Sequence, residues 1–188
     1  MSIVRIILNL LLIALIVFLA NMLINDIKGP IKYETERSKR YEEVKDKLVE
    51  LRKGQIMYKR KYDRYAGDLD TLKKFFSDDS IMIINQVGDP NDSTVVVQKV
   101  ETWVYVKDSL FKEDPDRIAT MDVIPFSDGQ KFVSQAGEIT KNKVNVKVFE
   151  ISAPYGAMYK GLNKKYFDPD EVIKVGSMTE ATTSGNFE

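Results

Sequence analysis

Residues 3 to 24 form an almost unbroken apolar segment near the start of the chain. A helix rises about 1.5 Å per residue, so a segment of this length crosses the ~30 Å hydrocarbon core of a bilayer. A cleaved signal peptide usually has a shorter apolar region and a small-residue exit, whereas this segment ends in Asn25-Asp26. The pattern predicts a retained transmembrane anchor over residues 1–27.

Two amides, Asn9 and Asn21, interrupt the apolar segment. Amide side chains in a bilayer can hydrogen-bond a neighbouring transmembrane helix. They can also be tolerated as isolated polar groups near the ends of the span. Both interpretations stay open, and we take Asn9 and Asn21 as candidate interaction residues.

A second periodic segment follows the pair Gly29-Pro30, which predicts the end of the anchor and a kink or swivel before a second helix. Apolar and aromatic residues recur there every three or four positions, which places them on one side of a helix. This stripe comprises Tyr41, Val44, Leu48, Leu51, Tyr58, Tyr62 and Tyr65, with Gln55 in the one missing place. The pattern predicts a helical stalk over residues 28–76.

The stripe needs a surface to pack against. Four of its seven residues are tyrosines, which suit a mixed interface better than a tight two-stranded coiled coil. We favour packing on the chain's own β-rich domain, with self-association through the stalk as the alternative. All seven residues are candidate interaction residues.

Alternating and β-branched runs replace the helical pattern from residue 77 to residue 176. The predicted strands are residues 81–87, 94–106, 119–124, 131–135 and 144–151, and the first two form a hairpin around a turn at residues 88–92. Residues 177–188 form a polar C-terminal tail. The predicted fold class is α+β: an N-terminal transmembrane helix, a charged helical stalk and a small, mainly antiparallel β-domain.

Charge is uneven along the chain, although its 28 basic and 28 acidic residues balance. Residues 27–65 carry 13 basic against 7 acidic residues, while residues 66–188 carry 14 against 20. The run Tyr58-Lys59-Arg60-Lys61-Tyr62 imitates a nucleic-acid patch with interleaved aromatic residues. Because its tyrosines lie on the apolar stripe, we interpret the run as a solvated helix face and predict no nucleic-acid partner.

The composition excludes most familiar active sites, because the sequence contains no cysteine and no histidine. Thiol nucleophiles, imidazole bases and the usual zinc ligands are therefore missing. Asp168, Asp170 and Glu171 resemble a fragment of a calcium site without the rest of an EF-hand loop, and we interpret them as the cap of a helix beginning near Val172. We predict no enzyme, no catalytic residue, no metal site and no cofactor.

Residues 51–65, followed by Asp68-Leu69-Asp70-Thr71-Leu72, resemble the end of the long helix in type IV pilin-like proteins and pseudopilins. In those families an N-terminal hydrophobic helix continues into a stalk that packs on a small antiparallel sheet. Their signature of a glycine, an aromatic residue and then a glutamate is not found in the first residues here, so the resemblance concerns architecture. Residues 174–181 and 185–188 also resemble the C-terminus of uncharacterised bacterial envelope proteins.

The two indications of membrane orientation disagree. Arg5 precedes the anchor, and five basic residues follow it closely, a distribution that favours a cytoplasmic soluble part. These five are Lys28, Lys32, Arg37, Lys39 and Arg40. The resemblance implies the periplasm. We adopt a single-pass protein of the bacterial inner membrane with a periplasmic soluble domain, and the cytoplasmic orientation stays open.

The resulting hypothesis is a non-enzymatic inner-membrane subunit of a secretion, transport or energised motor complex. It would act by binding other inner-membrane or envelope proteins, with the lipid bilayer as a second partner. A pseudopilin-like filament component is the structural alternative. A membrane-tethered hydrolase with two carboxylates is the enzymatic alternative, and a membrane-proximal lipid or nucleic-acid binder with salt-sensitive affinity is a further one.

Overall fold

The computed structural model describes residues 3–87 and 98–188. The predicted turn at residues 88–92 and the first part of the predicted second strand, residues 94–97, lie outside the described residues. The chain divides into two compact units, Met1–Tyr41 and Glu42–Glu188. The first helix, α1 (Ile3–Tyr62), contributes to both units.

The first unit contains the candidate membrane span. Among the described residues, Arg5–Leu23 is the one helical segment long and apolar enough to cross a membrane. None of that segment is buried inside the protein, so its apolar side chains are free to face lipid. Length, composition and exposure together support a single-pass membrane protein.

The predicted boundary at Gly29-Pro30 does not separate two helices, because α1 continues through both residues. Proline has no backbone N–H, so Pro30 removes one hydrogen bond from the helix interior. The helical turns on either side persist despite that loss. The anchor and the first part of the stalk therefore belong to one helix.

Short helices follow α1 in the second unit. α2 (Leu69–Asp78) starts at Asp68, whose carboxylate accepts a 2.6 Å hydrogen bond from the Thr71 N–H and so caps the helix. Its buried side chains are Leu69, Leu72, Phe75 and Phe76. Further short segments are α3 (Val106–Leu110), the 3-10 turn Pro115–Thr120, α4 (Tyr155–Met158) and the 3-10 turn Lys164–Tyr166.

The strands of residues 80–87 and 98–188 form two antiparallel sheets. β1 (Ser80–Val87) pairs with β2 (Gln98–Tyr105) in a two-stranded hairpin. β3 (Val133–Lys141), β4 (Val144–Pro154) and β5 (Val172–Gly176) form a three-stranded sheet with β4 in the centre. The predicted α+β class is confirmed, with the strands divided between two sheets.

Three local predictions were wrong. Residues 119–124 are not a strand, because Ile118, Met121 and Ile124 are buried at a spacing of three around the end of a 3-10 turn. β3 begins at Val133, two residues later than predicted, and is much longer than the predicted segment. No helix begins near Val172, because that residue pairs with Pro154 and opens β5.

The core of the second unit includes one side of α1 and the inner side of α2. Val44, Leu48 and Leu51 of α1 are buried. Gly54 follows on the same helix, and a Cβ atom there would lie 2.2 Å from the Phe76 ring of α2. The missing side chain of Gly54 therefore makes room for the buried aromatic ring of α2.

The C-terminal residues 177–188 pack along β5. The Gly176 N–H donates to the Ser184 carbonyl at 2.9 Å, and the Asn186 amide donates to the Val172 carbonyl at 2.8 Å. Glu188 forms an ion pair with Arg52 of α1. The polar tail thus covers the outer edge of β5, which would otherwise present unpaired backbone groups.

Candidate interaction site

The hairpin of β1 and β2 has two unlike faces. The register places Met82 opposite Trp103. Because side chains alternate along a strand, Met82 and Trp103 share a face with Tyr105, and Ile81 lies on the other face. Ile81 is buried in the core, so the face with Trp103 is the outer one.

The outer face presents three large side chains to solvent. Trp103 is 66% exposed, Tyr105 54% and Met82 44%. A single exposed apolar residue is ordinary, but three on one face form a patch. Tryptophan, tyrosine and methionine are also the residue types enriched at protein interfaces. This Met82–Trp103–Tyr105 face is the candidate interaction site.

A cleft of about 490 Å³ lies beside this face. The C-terminal end of α1 forms one wall through Met57, Arg60 and Lys61, and the hairpin forms the other through Met82, Ile83 and Trp103. The cleft combines apolar side chains with two cations. Its volume is in the range that encloses a small ligand or a few side chains of a partner.

Lys61 and Asp79 join the two walls of the cleft. Lys61 Nζ lies 2.5 Å from an Asp79 carboxylate oxygen and donates to the Ser80 carbonyl at 3.0 Å. The Tyr62 hydroxyl donates to the other Asp79 oxygen at 2.5 Å. The Val106 N–H donates to the Asp79 carbonyl at 2.9 Å, which ties the two ends of the hairpin together.

This contact fixes the charge of both partners. Desolvation raises the pKa of Asp79, but the hydrogen bonds from Lys61 and Tyr62 outweigh it and hold the pKa below its ordinary value. The hydrogen bond to Asp79 is also the main cause that raises the pKa of Lys61. Lys61 is therefore a cation neutralised by its own chain. Arg60, in contrast, forms no ion pair with any carboxylate of the described residues.

The stripe residues are divided between the core and the surface. Val44, Leu48, Leu51 and Tyr58 are buried within the second unit, so packing inside the chain accounts for them. Tyr65 is partly buried, and its ring centroid lies 4.6 Å from that of Phe149. Tyr41 is also partly buried, and Tyr62 is exposed beside the cleft.

The two amides of the anchor are exposed. Asn9 lies on the surface of the candidate membrane span. Asn21 donates through its Nδ2 atom to the Val17 carbonyl at 3.0 Å, one helical turn earlier. That bond satisfies one of the Asn21 amide hydrogens within the helix itself. A role for either amide in contact with another helix stays a prediction.

The outer face of the hairpin was not among the predicted candidate residues. The signal in the sequence was the continuous apolar run from Ile81 to Ile84, which supplies apolar side chains to both faces of one strand. A strand with a single buried face would show polar residues at alternate positions. The sequence predicts that the basic run at the end of the stalk is a solvated helix face. Two of its members, Arg60 and Lys61, line the cleft.

Acidic residues meet in a second cleft, of about 340 Å³, lined by Glu50, Glu113 and Asp114. Burial raises the pKa of Glu50, and Arg117, 3.1 Å away, opposes that rise. The Glu50 carboxylate is thus engaged with an arginine of its own chain. Across the described residues, no group of three or more acidic side chains is arranged to hold a metal ion.

Comparisons with protein-family models, with curated proteins and with solved structures find no match. The class of protein therefore has to be argued from the candidate span and the geometry of the site.

Proposed function

We propose that this protein is a non-enzymatic, single-pass subunit of the bacterial inner membrane that binds other envelope proteins in a secretion, transport or energised motor complex. The observation that carries the proposal is the exposed face of Met82, Trp103 and Tyr105. The chain places these three residues on one side of a hairpin and leaves them uncovered in the described structure. Binding another protein would remove them from water.

The membrane segment supports the same proposal. Arg5–Leu23 would hold the second unit at a bilayer surface, where its partners would be membrane or envelope proteins. We place that unit in the periplasm because of the resemblance to pilin-like and envelope proteins. The charge distribution around the anchor favours the opposite side, and this part of the proposal needs its own experiment.

Site-specific photo-crosslinking tests the binding face. A benzoyl-phenylalanine replaces Trp103 in the full-length protein, which is expressed in its native cells and irradiated. Tyr166 is a matched control, because it is an aromatic residue of similar exposure in a different part of the second unit. We expect a discrete adduct with another membrane or envelope protein from position 103, identified by mass spectrometry, and none from position 166.

Two results would overturn the proposal. Equal crosslinking from both positions would mean that the outer face of the hairpin has no specific partner. An adduct consisting only of two copies of this chain would favour the filament alternative, in which the protein assembles with itself. Equal levels of membrane-inserted, protease-resistant protein in the two variants establish that both are targeted and folded before adducts are compared.

A further inference from the structure

Among the described residues, the cleft beside Trp103 carries one charge, that of Arg60, that no carboxylate balances. Lys61 is neutralised by Asp79, whereas Arg60 has no carboxylate partner among the described residues. Residues 66–188 as a whole carry more acidic than basic side chains. Arg60 is exposed, so at the wall of the cleft it offers a cation without a carboxylate partner among the described residues, where an acidic group of another molecule can reach it.

We propose that the cleft binds a segment of the partner protein in which a carboxylate stands next to bulky apolar side chains. This inference rests on the proposed function and specifies the chemistry of the partner. The carboxylate would pair with Arg60, and the apolar side chains would pack against Met82 and Trp103. Arginine suits this contact because its planar guanidinium forms two parallel hydrogen bonds to one carboxylate.

The apolar part of the cleft fits such a segment. Met57 and Met82 line opposite walls, and methionine side chains adapt to irregular apolar partners. Trp103 supplies a large, rigid surface of the type that dominates binding energy in interfaces. At about 490 Å³ the cleft accommodates two or three side chains rather than a whole folded domain.

The charges along the hairpin predict at which end of the cleft the acidic group of the partner segment binds. Lys61 contacts the Ser80 carbonyl, so the basic end of α1 lies at the Ser80 end of β1. Glu101 is exposed, pairs with Ile84 in the register and lies beyond the Met82–Trp103 pair. The acidic group of the partner should therefore face the Ser80 end. Glu101 would repel it at the other end.

The same arrangement disfavours an anionic lipid surface as the occupant. A concave cleft encloses separate side chains, while a bilayer presents a broad surface. Glu101, on the same face as Trp103, would approach the anionic headgroups together with the tryptophan and oppose binding. A lipid surface is nevertheless one outcome that the test must distinguish.

Selection of displayed random peptides on the full-length protein tests the inference. The protein is held in nanodiscs of neutral phosphatidylcholine, so that the lipid contributes no net charge. Wild type is compared with Arg60→Glu and with Lys164→Glu, a charge reversal at an exposed lysine away from the cleft. Fluorescence anisotropy of dye-labelled selected peptides measures their affinity for each variant, including Trp103→Phe, which lacks the single tryptophan of the sequence.

We expect wild type and Lys164→Glu to enrich peptides with an acidic residue next to apolar ones. Arg60→Glu should bind these peptides about tenfold more weakly, because the reversal replaces an attraction between charges by a repulsion, and it should select basic peptides instead. Trp103→Phe should weaken binding of the same peptides without changing the charge preference, because it reduces the apolar surface and leaves Arg60 in place.

Three results would overturn the inference: no enrichment on wild type, enrichment without an acidic preference, or an acidic preference that survives Arg60→Glu. A Trp103 emission shift on changing to phosphatidylglycerol nanodiscs, without peptide, would instead identify a lipid surface. Crosslinks from position 103 combined with any of these results would leave the proposed function standing. If acidic peptides bind but no crosslink forms from position 103, the binding preference of the cleft stands and the proposed function fails.

Discussion

Gln55 is a fully buried amide on an otherwise apolar side of α1. Its Nε2 atom donates to the Ala66 carbonyl, and its Oε1 atom accepts from the Ala66 N–H, both at 2.9 Å. One side chain thereby satisfies both backbone groups of a buried residue after the end of the helix. The hydrogen bonds to Ala66 therefore explain why Gln55, a polar residue, occupies one place in the apolar stripe.

Replacement of Gln55 by leucine should be destabilising, although leucine continues the apolar stripe. The Ala66 N–H and carbonyl would both lose their partner, at about 1–3 kcal/mol for each buried group left unsatisfied. The free energy of unfolding from urea titrations in detergent measures the loss. Gln135→Leu is the control, because Gln135 is exposed on β3 and should change stability little. Equal stability of Gln55→Leu and wild type would contradict the role of the amide.

Asp122 is another buried polar residue, with 2% of its surface exposed. Its carboxylate oxygens lie 2.8 Å from Lys73 Nζ and 2.7 Å from Lys131 Nζ. Burial raises the pKa of this carboxyl, but the hydrogen bonds from Lys131 and Lys73 outweigh burial and lower the pKa below its ordinary value. Asp122 therefore contributes stability in its charged form.

The pH dependence of stability follows from the lowered pKa of Asp122. With a folded-state pKa below the unfolded value of about 3.9, the contribution is complete at neutral pH and disappears as pH falls through the folded-state pKa. Asp122→Asn should cost about 1.5–3 kcal/mol at pH 7, the range for hydrogen bonds to charged groups. The difference from wild type should shrink below about pH 4. Unfolding titrations at a series of pH values measure both effects, and Asp116→Asn, at an exposed aspartate, is the control.

At the scale of elements, the contact between α1 and α2 depends on Gly54. The Phe76 ring that occupies the space above Gly54 is itself fully buried and lies 5.1 Å, centroid to centroid, from Phe111. A glycine inside a helix usually costs about 0.5–1 kcal/mol relative to alanine. At position 54 the space that glycine leaves for the Phe76 ring outweighs the lower helix propensity of glycine.

Gly54→Ala should therefore destabilise the protein by about 1–3 kcal/mol, the usual cost of overpacking a core. The added Cβ would lie 2.2 Å from the Phe76 ring, and the surrounding core leaves that ring little room to move. The control is Gly67→Ala, where a Cβ would meet no atom within 4 Å. Thermal unfolding compares the two variants. A Gly54→Ala protein as stable as Gly67→Ala would show that the two helices can separate without cost.

Periodicity predicted the elements whose burial is local, and failed where pairing with a distant segment decides the structure. The apolar anchor, the stripe and β4 carry their patterns within one segment, so helix and strand were predicted there. β5 is only Val172–Gly176 and follows Asp168-Pro169-Asp170-Glu171, whose capping signals predicted a helix. Pairing with β4 overrides those signals, and a single segment does not contain that information.

The site was predictable in its parts but not in its position. The sequence shows the hairpin, its tryptophan and the basic end of the stalk as separate features. Which face of the hairpin is buried depends on where the core lies, because Ile81 and Met82 are both apolar. Likewise, the favoured interpretation, in which the stripe packs within the chain, describes the buried Tyr58, whereas Tyr62 remains exposed.

At the scale of the whole molecule, orientation in the membrane decides which partners can reach the candidate face. The charge rule acts through a few residues near the anchor, and here it counts five basic residues after the span against Arg5 before it. The pilin-like resemblance opposes that count. Only one of these orientations can hold for a single-pass protein, so a direct measurement separates them.

The absence of cysteine from the sequence makes that measurement unambiguous, since any thiol label reports the introduced site alone. Lys164→Cys places a thiol on an exposed 3-10 turn of the second unit, and Ile3→Cys places one at the exposed start of α1. In intact spheroplasts treated with a membrane-impermeant maleimide, a periplasmic second unit predicts labelling at position 164. Position 3 should then react only after the membrane is permeabilised. The reverse pattern would place the Trp103 face in the cytoplasm and make cytoplasmic proteins its partners. Labelling of both sites in intact spheroplasts would contradict a single crossing of the bilayer by Arg5–Leu23, because the two sites lie on opposite sides of that segment.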